Sequence, residues 1–350
     1  MTYRVIQWTT GNVGRRSLRA VIDNPELELV GVFAHGASKV GRDAAELAQI
    51  DQPTGVLATD DVEALIALRP DVCVYNPMWP NVDELCRLLE GGINIVATAA
   101  FITGRSMGES DRARLQAAAE KGRASLFGSG MNPGFANMMA IVSTQICSRV
   151  DQVRVLESAD ATGYDSWATE INVGYGQKPG TPGLVEGCAK TTQVFGDAVE
   201  MTADALGVEL DEISFDADYF VATADNELGY ATIRKGEITA VEGHWRGRVD
   251  GHDLIVLSFQ WLKGANVENA FELRHGYFID VVGMPNVSTR VQISPPSDWN
   301  EENYMGLGMI MTAMPAVNAI AAVVAAKPGI VMTHQLPAYG AHGFARGEAR

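Results

Sequence analysis

The opening of the chain reads Tyr3-Arg4-Val5-Ile6-Gln7-Trp8-Thr9-Thr10-Gly11-Asn12-Val13-Gly14-Arg15-Arg16. Residues 3 to 8 are mostly β-branched or aromatic, as in a buried strand, and a helix-favouring run begins at Arg15. The glycines between them predict a tight turn from a strand into a helix. The first N–H groups of a helix have no partner inside it and carry the positive end of its dipole, which favours a bound pyrophosphate.

This turn departs at one position from the G-x-G-x-x-G fingerprint of dinucleotide-binding proteins. A full match would need glycine at position 9, where the chain has Thr9. Because the turn still follows a first strand and opens a helix, we predict that it binds a dinucleotide. The alternative is an ordinary strand-to-helix turn. The predicted contacts are Thr10, Gly11, Asn12, Val13 and Gly14.

The composition limits the classes of protein to be considered. With 350 residues, 47% of them hydrophobic and 20% charged, the chain has the size of two globular domains. A net charge of −16 argues against sequence-independent binding of nucleic acid, which requires a cationic surface. Four widely spaced cysteines and the lack of a signal-peptide pattern predict a cytoplasmic protein whose thiols are reduced and lie in the core.

One apolar segment, Gly306 to Ala326, is uncharged and has about the length that spans a bilayer. Pro315 and Asn318 interrupt it, and no companion segment occurs elsewhere. We therefore predict a helix buried between soluble domains and no membrane contact. The six histidines are scattered without the spacing of metal ligands, so we predict no metal site.

The end of the second predicted strand, Leu27 to Phe33, bears on the choice of cofactor. NAD-binding Rossmann units have an Asp or Glu near this point, which binds the ribose hydroxyls. This chain has no carboxylate there but carries cations, a combination that suits the 2′-phosphate of NADP(H). If these cations are only solvated loop charges, NAD(H) is equally acceptable. The predicted contacts are His35, Ser38, Lys39 and Arg42.

Strands and helices alternate up to about residue 128, which predicts an α/β fold with a Rossmann-type, doubly wound parallel sheet. Ligands of such sheets gather at the carboxyl ends of the strands. Asn76 and Pro77 end one predicted strand, and Thr98 follows another. We predict that these three residues contact the cofactor, although each could equally be an uninvolved loop residue.

A second tight turn follows, Ser129-Gly130-Met131-Asn132-Pro133-Gly134-Phe135. Pro133 is typical of the first turn of a helix, here predicted to run to Cys147. Asn132 offers both a donor and an acceptor and could face a nicotinamide ring; the alternative is a structural cap.

From Val150 onward, long β-like stretches with one helix near Thr191 to Leu206 predict an antiparallel α+β domain. The glycine-rich segment from Thr162 to Gly187 also contains Tyr164 and Trp167, as is typical of a loop over an active site. The candidates for proton handling are Asn132, Asp160, Tyr164, Asp165, His244 and His275.

Several motifs together resemble the dihydrodipicolinate reductase-like group, and within it most closely the 2,4-diaminopentanoate dehydrogenases and native amine dehydrogenases. The resemblance covers nearly the whole chain and is specific in combination more than in any single motif. Its motifs are Thr10-Gly11-Asn12-Val13-Gly14-Arg15, Val40-Gly41-Arg42-Asp43-Ala44 with Glu46-Leu47, Asn132-Pro133-Gly134-Phe135, Ala316-Val317-Asn318-Ala319-Ile320 and Pro328-Gly329-Ile330.

The resemblance implies a dinucleotide-binding domain over residues 1–137, a substrate and dimerisation domain over 138–304, and a C-terminal helix and tail over 305–350 that return to the first domain. It also implies NAD(P)H-dependent reductive amination of small aldehydes or ketones, reversible as amine oxidation, in a homodimer. Ammonia would then be a co-substrate. The double-histidine and lysine motif of true dihydrodipicolinate reductases is missing, which argues against that activity.

The chain departs from the amine dehydrogenases at one important point. Their glutamate, which helps ammonia attack the carbonyl, is absent from Ala97-Thr98-Ala99-Ala100-Phe101-Ile102. Ammonia-independent reduction of a carbonyl or imine, or cofactor binding without turnover, are therefore the alternatives. The predicted catalytic residues are Asn132, His275 and Tyr164, and the predicted substrate pocket contains Phe101, Phe135, Asp160, Asp165, Trp167 and Thr312.

Overall fold

A computed structural model describes residues 2–98, 101–301 and 305–345. Within this range the chain forms two compact units. One runs from the N-terminal strand to Phe135 and resumes at Gly306, and the other spans Ala136–Met305.

The N-terminal part of the first unit alternates strands and helices, as the sequence predicts. Its elements are β1 (Tyr3–Trp8), α1 (Asn12–Asp23), β2 (Leu27–Phe33), α2 (Ala44–Ala48), β3 (Ala58–Thr59), α3 (Val62–Ala67), β4 (Val72–Tyr75), α4 (Val82–Glu90), β5 (Asn94–Thr98), α5 (Glu109–Gly122) and β6 (Ser125–Ser129).

The second unit contains most of the remaining strands. Its elements are α6 (Ala136–Thr144), β7 (Arg149–Asp160), α7 (Trp167–Glu170), α8 (Leu184–Thr191), α9 (Val194–Leu206), β8 (Glu212–Val221), β9 (Asn226–Glu227), β10 (Thr232–Ile233), β11 (Ile238–Val249), β12 (His252–Leu262), β13 (Gly276–Met284) and β14 (Val287–Val291). The chain then returns to the first unit with α10 (Met305–Asn318), α11 (Ile320–Val324) and β15 (Gly329–Val331).

The sheet of the first unit has seven strands in the order β15-β6-β5-β4-β1-β2-β3, and every pair is parallel. The predicted Rossmann-type sheet is confirmed. Because the chain order reverses on either side of β1, the ends of β1 and β4 border the crevice in which such sheets bind ligands.

The C-terminal helices return to this sheet, as predicted. Ile320 and Val323 of α11 are buried in one cluster with Val5 and Val74 of the central strands. The helical run Met305–Val324 has the length and apolar composition of a membrane span, and 39% of its most apolar window is buried. The packing of α11 against the strands makes this last part of the run a component of the core of the first unit.

The second unit has a six-stranded sheet in the order β14-β13-β7-β12-β11-β8. Its neighbours pair antiparallel except β7 and β12, which run parallel from Val153–Ile255 to Asp160–Leu262. The sheet is therefore mixed, which corrects the antiparallel prediction. The β11–β12 hairpin fixes the direction of β12, and β12 then meets a strand about a hundred positions earlier in the chain, a pairing that no local pattern reveals.

Two smaller predictions also need correction. The one helix predicted near Thr191 to Leu206 is present as α9, but α7 and α8 precede it in a segment where no helix was predicted. All four cysteines are free, as expected, but only Cys73 and Cys188 are buried, while Cys86 and Cys147 are partly exposed.

Candidate functional site

The turn between β1 and α1 keeps the geometry of the glycine fingerprint although its first glycine is replaced. Thr9 adopts a left-handed backbone conformation, with φ of 67°. This conformation is rare for a β-branched residue, and glycine adopts it without strain. The turn therefore has the conformation of the fingerprint at the position where the sequence departs from it.

The two remaining glycines of the turn play different parts. A Cβ on Gly14 would lie 2.5 Å from the carbonyl oxygen of Thr9, so Gly14 permits the close packing of α1 against the end of β1. A Cβ on Gly11 would meet no atom of the chain within 4 Å, and Gly11 is exposed. Gly11 thus borders open space, where a phosphate can approach the backbone.

The start of α1 is open to an anion. Gly11 is its N-cap and supplies no side-chain hydrogen bond, and the first turn carries no acidic residue. The leading N–H groups of a 12-residue helix therefore keep their positive electrostatic potential. Together with the open space at Gly11, this arrangement fits the pyrophosphate of a dinucleotide.

The end of β2 brings one predicted cation to the turn. Lys39 Nζ donates to the carbonyl oxygen of Thr10 at 2.9 Å and to its hydroxyl at 3.1 Å. His35 and Ser38 are exposed nearby in the chain, and His35 packs edge-on against Phe33. Arg42 instead pairs with Glu46, one turn along α2, so part of its charge is already balanced.

A partly buried hydrogen-bond network joins three strand ends behind the turn. Gln7 Nε2 donates to the Thr9 carbonyl oxygen at 2.9 Å and to Asn76 Oδ1 at 2.7 Å. Asn76 Nδ2 in turn donates to Thr98 Oγ1 at 2.7 Å. Asn76 and Thr98, both predicted to contact the cofactor, are thus brought together at neighbouring strand ends. Gln7 was not among the predicted site residues. The one sign of its role in the sequence is that it is an amide within an apolar strand. Pro77 follows Asn76 and is partly exposed.

The second turn differs from its predicted form. Pro133 has an extended backbone with ψ of 154°, and Gly134 has φ of 136°, so the helix starts only at Ala136. A Cβ on Gly134 would lie 2.9 Å from Ser129 Oγ, which explains glycine there. Pro133 is therefore not in the first turn of a helix. Asn132 and Phe135 remain partly exposed at this turn.

Two predicted pocket residues of the first unit have different surroundings. Thr312 lies beside the turn, since a Cβ on Gly130 would be 3.8 Å from its methyl group. Phe101 is 1% exposed and belongs to the core cluster of the sheet. The resemblance places the missing glutamate at Ala100 or Phe101, and of these Ala100, with its neighbour Ala99, lies outside the described residues.

In the second unit, the segment after β7 carries the predicted residues Asp160, Tyr164, Asp165 and Trp167. Asp160 and Asp165 are exposed, and Asp160 accepts a hydrogen bond from the backbone N–H of Thr162. Tyr164 and Trp167 are partly buried. Burial raises the pKa of Tyr164, so its hydroxyl stays protonated and able to donate at neutral pH.

The same segment covers a buried ion pair that the sequence did not predict. Lys263 Nζ lies 2.7 Å from Glu170 Oε1, and it also donates to the carbonyl oxygens of Ala161 and Tyr164 and to the hydroxyl of Tyr230. Burial lowers the pKa of Lys263 and raises that of Glu170, while their attraction opposes both shifts. The only signal in the sequence is a lysine directly after the strand that ends at Leu262.

The two histidines considered for proton transfer lie in different settings. His275 precedes β13, is exposed and has a left-handed backbone with φ of 50°. Because β13 begins opposite Ser158, His275 lies at the same edge of the sheet as the end of β7. His244 Nδ1 lies 2.8 Å from Ser258 Oγ on the neighbouring strand, a cross-strand contact with no link to this edge.

The second unit and the C-terminal elements that follow it match the model of a known family. The model of the 2,4-diaminopentanoate dehydrogenase C-terminal domain matches residues 135–345, more than half of the chain. The chain belongs to this family. The resemblance noted from the sequence motifs is thereby confirmed.

Individual relatives agree with this assignment. The chain is 36% identical over 264 residues to an amine dehydrogenase of Streptomyces virginiae, covering 72% of this chain and 73% of that protein. It is 26% identical over 237 residues to a 4-hydroxy-tetrahydrodipicolinate reductase of Neisseria gonorrhoeae, covering 67% and 77%. The solved structure of an amine dehydrogenase from Mycobacterium smegmatis has the same fold, with a TM-score of 0.75, 21% identity and 97% of each chain covered.

This member of the 2,4-diaminopentanoate dehydrogenase family is therefore an NAD(P)-dependent oxidoreductase with a Rossmann-type sheet. The prediction that it is an enzyme is confirmed. The contacts predicted for individual side chains remain predictions.

Proposed function

We propose that this chain reduces a C=N bond formed from ammonia and a small aldehyde or ketone, with NADPH as the hydride donor. The reaction is reversible as oxidation of a primary amine. The observation that carries this proposal is the 36% identity to an amine dehydrogenase, which extends over 72% of this chain.

The preference for NADPH rests on the end of β2. Residues 34–38 supply no carboxylate for the ribose hydroxyls, and Lys39 Nζ is held against Thr10 within the phosphate-binding turn. An ammonium group at this point favours the additional phosphate of NADP(H) through charge-assisted hydrogen bonds. NAD(H) remains the alternative cofactor.

When bound, the nicotinamide supplies or accepts the hydride. The N–H groups of the Gly11–Gly14 turn hold the pyrophosphate, and Asn76, Pro77 and Thr98 border the cofactor at the strand ends. We assign the Asn132 amide to the substrate oxygen or nitrogen, and the Tyr164 hydroxyl and the His275 imidazole to proton exchange. Trp167, Phe135 and Thr312 supply apolar surface, as a small carbonyl compound requires.

A second activity is favoured by one specific observation. The segment Ala97-Thr98-Ala99-Ala100-Phe101-Ile102 has no carboxylate, although the resemblance places a glutamate here. General acid–base catalysis contributes about 10²–10⁴-fold. If no other group replaces that glutamate, ammonia-independent reduction of a carbonyl or of a preformed imine is the faster reaction.

Incubation of the protein with NADPH and a panel of small aldehydes and ketones, with and without ammonium, tests both activities. Consumption of NADPH that requires ammonium supports reductive amination. Consumption without ammonium indicates a carbonyl reductase, and no consumption with any compound, despite cofactor binding, would leave a cofactor-binding protein without turnover.

We further propose that the enzyme is a cytoplasmic homodimer. Its four cysteines are free, as in a reducing compartment. Apolar side chains are exposed on α6 and β13, which pack together in the second unit, notably Val142 and Met284. Exposed apolar surface of this kind is typical of an interface between subunits. Light scattering of the purified protein would show twice the mass of one chain, and a monomer at every concentration would refute the dimer.

A further inference from the structure

Gln7 is a polar residue in the middle of the apolar core of the first unit. It lies near the end of the central strand β1 and is 0% exposed. Buried amides are costly unless they form hydrogen bonds, so the partners of such a side chain indicate what it stabilises. Its Nε2 lies within 2.9 Å of two acceptors, Thr9 O and Asn76 Oδ1.

The first of these partners is the residue that replaces the glycine of the fingerprint. Thr9 has φ of 67°, a conformation that its β-branched side chain disfavours. The hydrogen bond from Gln7 fixes the carbonyl oxygen of Thr9 and thereby the direction of the peptide that enters the turn. The chain thus compensates through a side chain for a conformation that glycine would adopt unaided.

The same carbonyl oxygen also determines how α1 approaches the sheet. A Cβ built on Gly14 would lie 2.5 Å from Thr9 O and 3.4 Å from Gln7 Nε2. The Gln7 amide therefore lies close to both the Thr9 carbonyl oxygen and Gly14 in the first turn of α1. The Thr9 carbonyl oxygen that Gln7 holds therefore lies against the first turn of α1, whose N–H groups are the predicted phosphate contacts.

The second partner extends the network across the sheet. Asn76 directly follows β4, and its Nδ2 donates a hydrogen bond of 2.7 Å to the hydroxyl of Thr98, the last residue of β5. Gln7 is thereby linked to the ends of three adjacent parallel strands, which form one border of the cofactor crevice.

We propose that Gln7 is a positioning residue of the cofactor site. It acts through Thr9, whose left-handed conformation it maintains in place of the missing glycine, and through Asn76, which it aligns with Thr98. Its effect should fall equally on NADPH and NADH, because both share the pyrophosphate and the nicotinamide. This proposal depends on the nicotinamide cofactor and is independent of whether the substrate is aminated.

The test compares three variants by titration of reduced nicotinamide fluorescence. Gln7→Met removes the amide and keeps the length of the side chain. Gln7→Met with Thr9→Gly adds a glycine, which adopts the left-handed conformation at position 9 without the hydrogen bond from Gln7. Gln116→Met is the control, because Gln116 also donates and accepts hydrogen bonds in the first unit but on α5 and β15.

Gln7→Met should weaken both cofactors about tenfold or more, as the loss of a buried hydrogen bond predicts. The added Thr9→Gly should restore most of the affinity, and Gln116→Met should bind as the wild type does. Wild-type affinity in Gln7→Met would overturn the proposal. So would a failure of Thr9→Gly to restore binding, or unfolding of the double variant, because Gln7 would then serve the core and not the turn.

Discussion

Lys263 Nζ lies 2.7 Å from Glu170 Oε1, and the two side chains are 0% and 7% exposed. Lys263 follows β12, whereas Glu170 ends α7 in the segment that leaves β7. The tyrosine rings of residues 164, 175 and 230 surround the ammonium group at 5.2 to 6.0 Å. This ion pair therefore attaches the segment carrying Tyr164 and Trp167 to the end of β12 in the second sheet.

We expect Lys263→Met to destabilise the protein strongly, by about 3–5 kcal/mol, because it leaves the Glu170 carboxylate buried without its cation. Lys263→Met with Glu170→Met should recover most of this loss, since an apolar pair of similar volume needs no compensating charge. Urea unfolding of the wild type and both variants measures the difference. If the double variant were less stable than Lys263→Met, the ion pair would not be the source of the effect.

The two glycines of the first turn should respond differently to alanine. Gly14→Ala places a Cβ 2.5 Å from the Thr9 carbonyl oxygen and should cost about 1–3 kcal/mol of stability through overpacking. Gly11→Ala meets no atom of the chain within 4 Å, so it should cost only about 0.5–1 kcal/mol, because alanine is a poorer N-cap than glycine. Its methyl group should nevertheless weaken cofactor binding by crowding the phosphate. Thermal unfolding and cofactor titration separate the two effects, and a stable Gly14→Ala protein would argue against the close packing.

Lys39 should discriminate between the two nicotinamide cofactors. Lys39→Ala should weaken NADPH about tenfold or more while NADH changes little, since one or two charge-assisted hydrogen bonds to the 2′-phosphate are lost. Arg42→Ala is the matched comparison, and its effect should be smaller because Arg42 is paired with Glu46. Calorimetric titration of both variants with both cofactors provides the measurement. Equal weakening of NADPH and NADH by Lys39→Ala would refute the phosphate assignment.

Asp43 should make the first unit sensitive to acid. Partial burial of the Asp43 carboxylate raises its pKa, but four hydrogen bonds lower the pKa by more, to about 2. The donors are the N–H groups of Thr54, Ala45 and Gly55 and the Thr54 hydroxyl. A depressed pKa adds stability above the unfolded value of 3.8, and this stability is lost as the pH falls towards 2. Urea midpoints should therefore fall over this interval in the wild type and less steeply in Asp43→Asn, and identical pH profiles would contradict the role of Asp43.

Much of the fold can be predicted from the sequence, because local residue patterns determine where its strands and helices lie. The long β-like stretch from Ile238 to Val249 predicts a strand, and β11 has these bounds. The run Tyr3–Trp8 followed by the glycine turn likewise gives β1 and α1. The parallel pairing of β7 with β12 is different, because it depends on which distant strands meet and not on any local pattern.

Less of the site could be predicted, because its contacts also join residues that are far apart in the sequence. Asn76 and Thr98 could be predicted to meet, since the carboxyl ends of neighbouring parallel strands share one edge of the sheet. Gln7 could not be recognised as their partner, because an amide in a strand gives no sign of the direction in which it points. The ion pair of Glu170 and Lys263 joins the end of α7 to the residue after β12, far apart in the chain, and only the folded second unit brings them together.

In the proposed reaction ammonia supplies the nitrogen of the product, so an isotope label in ammonium must appear in that product. The protein is incubated with NADPH, a ketone that it consumes and isotope-labelled ammonium, and the products are analysed by mass spectrometry. The proposed function predicts a primary amine that carries the label, formed in the same amount as NADP⁺. An alcohol as the sole product, formed at the same rate without ammonium, would contradict it.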